Sequence, residues 1–347
     1  MTTGYLYEPL PDIDAGLRLH LNENTGGCSP AVLEAIARLA RTDIAAYPVY
    51  TNAARACATA LGVSPDQLLL TNGLDEGILT VALALLPRKD AADAVVVEPA
   101  YGMFGPSARL AGARVVSTTP PPDLGFDLDS VLAALTPATR LVFLATPNNP
   151  TGAVVPAAAI RRVAEAMPPG GAVFVDEAYA DFEGRSMMGD LERTPNLVIG
   201  RTFAKAYGLA GMRIGCVVAQ PGVIRQLRGA IAPFSVNVFA AAALEAALAD
   251  RGHVERYVRE VRASRELLYD ACDRLGLAYW RSAANYVLVR VGDAAAARAA
   301  LAARGIHVRD RSSAPGCAGC IRITAGLVEH TRACVAVLEE VVCAKRP

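Results

Sequence analysis

No charge of one sign predominates in this sequence: 34 Lys and Arg stand against 34 Asp and Glu. Without a basic or acidic run there is no electrostatic footprint for nucleic acid or for an anionic membrane, so small molecules are the expected partners. Long hydrophobic runs are missing too. Apolar stretches such as 93–97 are strand-sized, far short of the roughly 20 residues a membrane-spanning helix needs. Residues 1–14 have neither a basic n-region nor an apolar h-region, so no secretory signal is expected. Fixed-period repeats and low-complexity linkers are absent. The eight cysteines form no framework pattern and read as reduced thiols of a cytoplasmic protein. One close pair, Cys317 and Cys320, has the spacing of a zinc knuckle. It lacks the second pair that a four-ligand structural site requires, so loop cysteines and no metal are expected.

What is present is a well-supplied core. Hydrophobic residues make up 53% of the chain and charged residues 20%, which argues against disorder. A length of 347 residues suits one large α/β unit plus a smaller one. Strand candidates at 67–71, 94–98, 114–118, 140–145, 172–176, 197–201 and 215–219 alternate with helical stretches at 76–86, 103–111, 128–135 and 157–166. Strands that are apolar on both faces, separated by helices, predict an α/β fold with a mostly parallel seven-stranded sheet covered by helices. Ligands in such sheets sit in the loops at the carboxyl ends of the strands. After about residue 238 the texture changes. A long helical stretch, 239–275, has Gly252 as its expected break; strand candidates at 286–291 and 321–324 flank a helix at 294–303. The expected division is an N-terminal arm with part of a small domain at 1–28, a large domain at 29–238 and a small α+β domain at 239–347.

Several chemically capable residues fall at predicted strand ends. Lys205 follows the strand 197–201 in a loop of small residues. A nucleophilic lysine must spend time deprotonated, which requires desolvation or nearby positive charge; taken alone, a loop lysine is ordinarily solvated. Asp176 ends the run Val173-Phe174-Val175-Asp176. A carboxylate there suits a protonated pyridine nitrogen, although a helix N-cap is the plain reading of the position. Tyr179 lies within reach of the same ring. In Thr146-Pro147-Asn148-Asn149-Pro150-Thr151-Gly152, two prolines and a glycine fix a turn that orients the Asn149 amide. Thr71-Asn72-Gly73-Leu74-Asp75-Glu76 opens a helix after a strand. Its free N–H groups make an anion site, with Thr202 and Arg213 as further donors. Tyr101, just past another strand, suits stacking on a flat ring, or a place in the core.

These strings, in this order, resemble the fold-type I aminotransferases of class I/II. Leu21-Asn22-Glu23-Asn24, Gly73-Leu74-Asp75-Glu76, Pro99-Ala100-Tyr101-Gly102, Ser282-Ala283-Ala284-Asn285-Tyr286 and Val308-Arg309-Asp310-Arg311 with Ile321-Arg322-Ile323-Thr324 resemble the histidinol-phosphate aminotransferase branch. The resemblance runs from about residue 21 to 326. It implies pyridoxal 5′-phosphate as cofactor, with Lys205 as the Schiff-base lysine and proton shuttle and Asp176 paired with the pyridinium nitrogen. Asn149 and Tyr179 would face the phenolic oxygen, and Tyr101 would stack on the ring. Backbone around Leu74 and Asp75, with Thr202 and Arg213, would hold the phosphate. Tyr47 would reach the phosphate of a partner subunit, implying a homodimer. Arg322 would take a substrate carboxylate and Arg309 a distal anion, with Asn149 beside them.

Three departures bear on the substrate. Ala204 stands where relatives usually carry a serine before the lysine. Asn24-Thr25-Gly26-Gly27 replaces a more usual turn, and the N-terminal arm offers only Tyr5 and Tyr7 as aromatic contacts. The reaction implied is transfer of an amino group, in amino-acid biosynthesis, between a donor such as glutamate and a keto acid or phosphorylated aldehyde of the imidazole-acetol-phosphate type. Alternatives on the same scaffold are an aromatic amino-acid aminotransferase, a phosphothreonine-type decarboxylase, a lyase or a cyclase. A non-catalytic cofactor-binding module is a further reading, disfavoured because the lysine is kept and no DNA-binding appendage is present. Arg311 reads as solvated, and His307 as a strand-edge residue.

Overall fold

The computed structural model describes residues 13, 15–86 and 92–343; Tyr5, Tyr7 and nearly all of the segment 1–14 lie outside this range. Seven strands form the large sheet: β1 (Leu68–Thr71), β2 (Asp93–Val96), β3 (Arg114–Ser117), β4 (Thr139–Ala145), β5 (Ala172–Asp176), β6 (Leu197–Thr202) and β7 (Gly215–Ala219). Their order is β1-β7-β6-β5-β4-β2-β3. Strands β3, β2, β4, β5 and β6 run parallel, and β7 is antiparallel to both its neighbours. Alternation along each strand divides the core. Leu69, Phe143, Phe174, Val198 and Val217 face one layer of helices, while Leu68, Leu70, Val142, Val173, Val175, Ile199 and Val218 face the other. Because side chains alternate across a sheet, a strand buried on both faces needs an unbroken apolar run. That is why these strands stand out in the sequence.

The same alternation separates two adjacent acids. Asp176 closes β5 on the cavity side. Glu177 turns the other way and accepts hydrogen bonds from Ser186 Oγ and from the Met187 N–H at 2.6 Å. Arg201, itself buried, pairs with Glu177 at 3.4 Å and with Asp181 at 2.6 Å.

The C-terminal part carries a four-stranded antiparallel sheet: Arg309–Asp310, Cys320–Thr324, Tyr286–Arg290 and Ala278–Trp280, in that spatial order. The helices Arg251–Leu275 and Val328–Cys343 pack against each other behind it. Leu17–Arg18 pairs in parallel with Ile306–His307, which ties the N-terminal segment to this part. His307 sits in that ribbon and contacts the Ala15 carbonyl.

The long helix breaks earlier than its glycine suggested. One helix ends at Ala249 and the next begins at Arg251. Asp250 is the junction, because its carboxylate accepts the His253 N–H and caps the second helix. Capping by a short acidic side chain stabilises a new helix start, and Gly252 is carried inside the first turn. Cys317 and Cys320 are buried against Leu124 and Leu288. Among the described residues no group of three or more His, Cys, Asp or Glu is placed to hold a metal ion. No described helix is long and apolar enough to cross a membrane.

Candidate active site

A cavity of about 860 Å³ opens at the carboxyl ends of the parallel strands, between the large sheet and the C-terminal sheet. Each strand end delivers one part of its wall. β5 supplies Asp176 and Tyr179, β6 supplies Thr202 and Lys205, and the turn after β4 supplies Asn149. The loop after β2 brings Glu98 and Tyr101, the start of the helix Gly73–Leu85 brings Leu74 and Asp75, and Arg213 lies just before β7. Arg309, Arg311 and Arg322 close the cavity from the C-terminal sheet. Of the described residues to which the resemblance gives a cofactor or substrate role, Tyr47 alone does not line this cavity. It is 78% exposed and stacks on Phe234 at 4.5 Å.

Lys205 Nζ donates to the Leu21 carbonyl at 2.8 Å. Burial, then the nearby positive charge of Arg322, lowers its pKa to about 8. The ammonium loses hydration in this setting, so the neutral amine needed for attack on a carbonyl is within reach near neutral pH. Burial pushes the Asp176 carboxyl up to about 7, while the Ala178 N–H, donating at 2.9 Å, opposes the shift. A buried carboxyl in that state lacks a cationic partner close enough to hold it ionised, and a protonated ring nitrogen is such a partner.

Neutral groups orient the rest. Asn22 Nδ2 donates to the Tyr179 hydroxyl at 2.9 Å, which leaves the phenol free to donate its own proton. Asn149 Oδ1 accepts from Arg322 Nη1 at 2.5 Å, turning the Asn149 NH₂ group away from the arginine. The Tyr101 hydroxyl donates to Asp75 at 2.7 Å, and Arg213 reaches the same carboxylate at 3.3 Å. Both partners of the Arg213–Asp75 pair are close to half exposed, so its own contribution to stability is small. The Thr202 hydroxyl accepts the Ala204 N–H at 3.2 Å and so shapes the loop that presents Lys205. At Gly73, φ is +72° and an added Cβ would lie 2.4 Å from Arg213 Nη2. A side chain there would displace the guanidinium from the helix start. The free N–H groups of that helix, the Thr202 hydroxyl and Arg213 form a donor set for a phosphate. With Asp176 at depth and Lys205 beside it, the cavity fits a phosphorylated pyridine aldehyde.

Some contributors were not distinguished in the sequence. Asn22 is buried with φ +57°, and its carbonyl accepts from Asn285 Nδ2 at 3.1 Å; the strings around Leu21 and Ser282 contained both residues without revealing that they touch. Burial and the neighbouring Arg18, His307, Arg309 and Arg322 drop the His20 pKa to about 4, so it is neutral. Arg311 corrects the solvated reading: its Nε is buried, and burial next to Arg322 lowers its pKa to about 10.

A mostly parallel α/β sheet with a desolvated lysine, a buried carboxyl and an anion cradle meeting in one cavity is the layout of an enzyme for carbonyl and amine chemistry. The chain belongs to the aminotransferase class I and II family, whose model matches residues 15–337. It is 38% identical to histidinol-phosphate aminotransferase 1 of Cupriavidus pinatubonensis, over 94% of this chain and 88% of that one. It is equally identical to the histidinol-phosphate aminotransferase of Symbiobacterium thermophilum, over 96% and 94%. Among solved structures, histidinol-phosphate aminotransferase from Sinorhizobium meliloti in complex with pyridoxal-5′-phosphate superposes with a TM-score of 0.85 at 31% identity, covering 96% of this chain and 92% of that one.

Proposed function

We propose that this protein is a pyridoxal-phosphate-dependent aminotransferase of the histidinol-phosphate type, passing an amino group between glutamate and a phosphorylated keto compound. The observation that carries the reading is the convergence of Lys205, Asp176 and the phosphate donor set on one cavity. When bound, the cofactor supplies the electron sink for negative charge at the substrate Cα. Lys205 would hold the cofactor through its Nζ, and the same Nζ would take and return the proton at the substrate Cα. Asp176 would keep the ring nitrogen protonated, Asn149 and Tyr179 would donate to the phenolic oxygen, and Tyr101 would pack against the ring. Leu74 and Asp75 amides, Thr202 and Arg213 would bind the phosphate. Arg322, fixed by Asn149 Oδ1 and by the His20 carbonyl at 2.8 Å, grips a substrate carboxylate, and Arg309 assists on the distal anion.

Two parts of the reading concern assembly. The protein works as a homodimer in which Tyr47 reaches the phosphate of the partner's cofactor, which accounts for a tyrosine and a phenylalanine left exposed together on one chain. Residues 239–347, with part of the N-terminal arm 1–28, act as a small domain that positions the substrate arginines over the large domain, 29–238, in the cytoplasm.

The test is a half-reaction screen. Holoenzyme mixed with glutamate, or with histidinol phosphate, is expected to convert its visible absorbance to that of the amine form of the cofactor and to yield the matching keto product. Release of carbon dioxide without a keto product would instead place the chain with the decarboxylases.

A further inference from the structure

Three guanidinium groups share one face of the C-terminal sheet. Arg309 and Arg322 are directly opposite across the antiparallel ladder. The Arg311 N–H continues that ladder to the Cys320 carbonyl at 2.9 Å, so Arg311, two residues along, points to the same side as Arg309. All three line the cavity. Like charges placed opposite each other on a sheet cost stability, and burying a guanidinium adds to that cost unless an anion is supplied. Among the described residues, none of the three has a carboxylate within ion-pair distance, and the Arg311 side chain makes no hydrogen bond at all. Arg322 is at least held by two neutral acceptors. Arg311 has no such support, and Ser313, Ala314 and Pro315 of its own loop complete the wall beside it. The neighbouring His20 is neutral, so it adds no charge, and Glu98, which feels the Arg311 charge, has its own carboxyl pushed up by burial.

We propose that Arg311 is a specificity-determining residue, a third guanidinium that with Arg309 grips a dianionic phosphomonoester and separates it from a carboxylate. It rests on the phosphorylated-substrate reading for its biological meaning, but its physical claim is independent of turnover. An arginine offers a planar fork of donors matched to phosphate oxygens. A group carrying two negative charges satisfies Arg309 and Arg311 together, whereas a carboxylate needs only one of them or Arg322.

The experiment uses the holoenzyme, whose cofactor already fills the other phosphate site, with inorganic phosphate as probe. Wild-type protein is expected to gain thermal stability with phosphate and to be inhibited by it competitively against the amino substrate. Arg311→Gln should weaken that inhibition about 10- to 100-fold, remove most of the thermal gain, and leave KM and kcat of the glutamate half-reaction within about threefold. Without phosphate its Tm should equal or exceed that of wild type, because a like charge has been removed; a purely structural arginine would lower it. If the glutamine variant does not fold, Arg311→Lys keeps the charge and loses the fork, and should weaken phosphate inhibition about tenfold. Unchanged phosphate inhibition, or an equal loss for phosphate and for glutamate, overturns the proposal. Failure of the wild-type enzyme to turn over histidinol phosphate, with phosphate inhibition still dependent on Arg311, removes the substrate reading and leaves the anion role of Arg311 standing.

Discussion

The Lys205 ammonium is poorly hydrated where it sits, and this is what suits it to the attacking role proposed for it. Its pKa falls from 10.5 to about 8, so between those values the folded chain binds fewer protons at this group than the unfolded chain. Linkage then makes this contribution to stability rise with pH across that window, and below about 8 the ligand-free fold bears the whole penalty of a buried charge. The same titration should govern the proposed chemistry. Capture of pyridoxal phosphate by the apoprotein should accelerate about tenfold per pH unit on the acid side and level off above about 8. A stopped-flow pH series checks this, and a capture rate flat across the series would show that the lysine is not the attacking group. In Lys205→Ala, borohydride should fix no cofactor to the chain. What the sequence could say of single residues ended at type and neighbourhood. It placed Lys205, Asp176 and Asn149 at strand ends, where apolar runs stop. It misjudged Arg311, because a guanidinium two residues from another in a loop looks the same in sequence whether water or protein surrounds it.

At the scale of elements, the junction of β1 with the helix Gly73–Leu85 would set the proposed anion site. A helix start presents unpaired N–H groups, and Gly73 lets Arg213 pack directly against them at a φ of +72°. Alanine there meets two penalties: a left-handed backbone, costing roughly 1–2 kcal/mol, and a collision with Arg213. Gly73→Ala should therefore loosen cofactor binding about 10- to 100-fold, a larger effect than its modest loss of Tm. Equilibrium dialysis with pyridoxal phosphate against thermal melts of the apoprotein separates the two, and an unchanged affinity would detach this helix start from the phosphate. Strands were the most legible elements, since burial on both faces leaves no room for polar residues between Val173 and Val175 or between Leu197 and Ile199. The helix break was less so. Gly252 drew attention as the one glycine, yet the side-chain cap of Asp250 decides the junction, and a capping bond depends on backbone angles that residue type alone does not report.

The whole molecule joins residues that are far apart in the chain. Asn22 bonds Tyr179 and Thr324, so the N-terminal segment, the large sheet and the C-terminal sheet meet at one buried point next to the cavity. Such contacts between distant segments were invisible to spacing and periodicity, which report only local order; the α/β class, the sheet and the smaller C-terminal unit were legible because they repeat locally. Tyr47 lies outside the cavity of its own chain. Tyr47 and Phe234 stack together at 78% and 52% exposure, and Val49, at 80%, is close in sequence. Large apolar groups exposed together mark a contact surface, and a two-fold dimer would bury the same patch twice. If Tyr47 completes the partner's site, two defective chains can repair each other. Lys205→Ala chains lack the lysine but carry Tyr47, whereas Tyr47→Phe chains keep the lysine and lack the hydroxyl. In a mixed dimer, one site receives the intact lysine from one chain and the intact tyrosine from the other. Refolding the two together should therefore yield a population that holds cofactor with wild-type affinity, which neither parent shows alone, amounting to about a quarter of the wild-type sites if pairing is random. Activity at limiting cofactor reads this directly, with sedimentation confirming that dimers formed. A mixture that merely averages its parents would mean that Tyr47 serves only its own chain, or the interface alone.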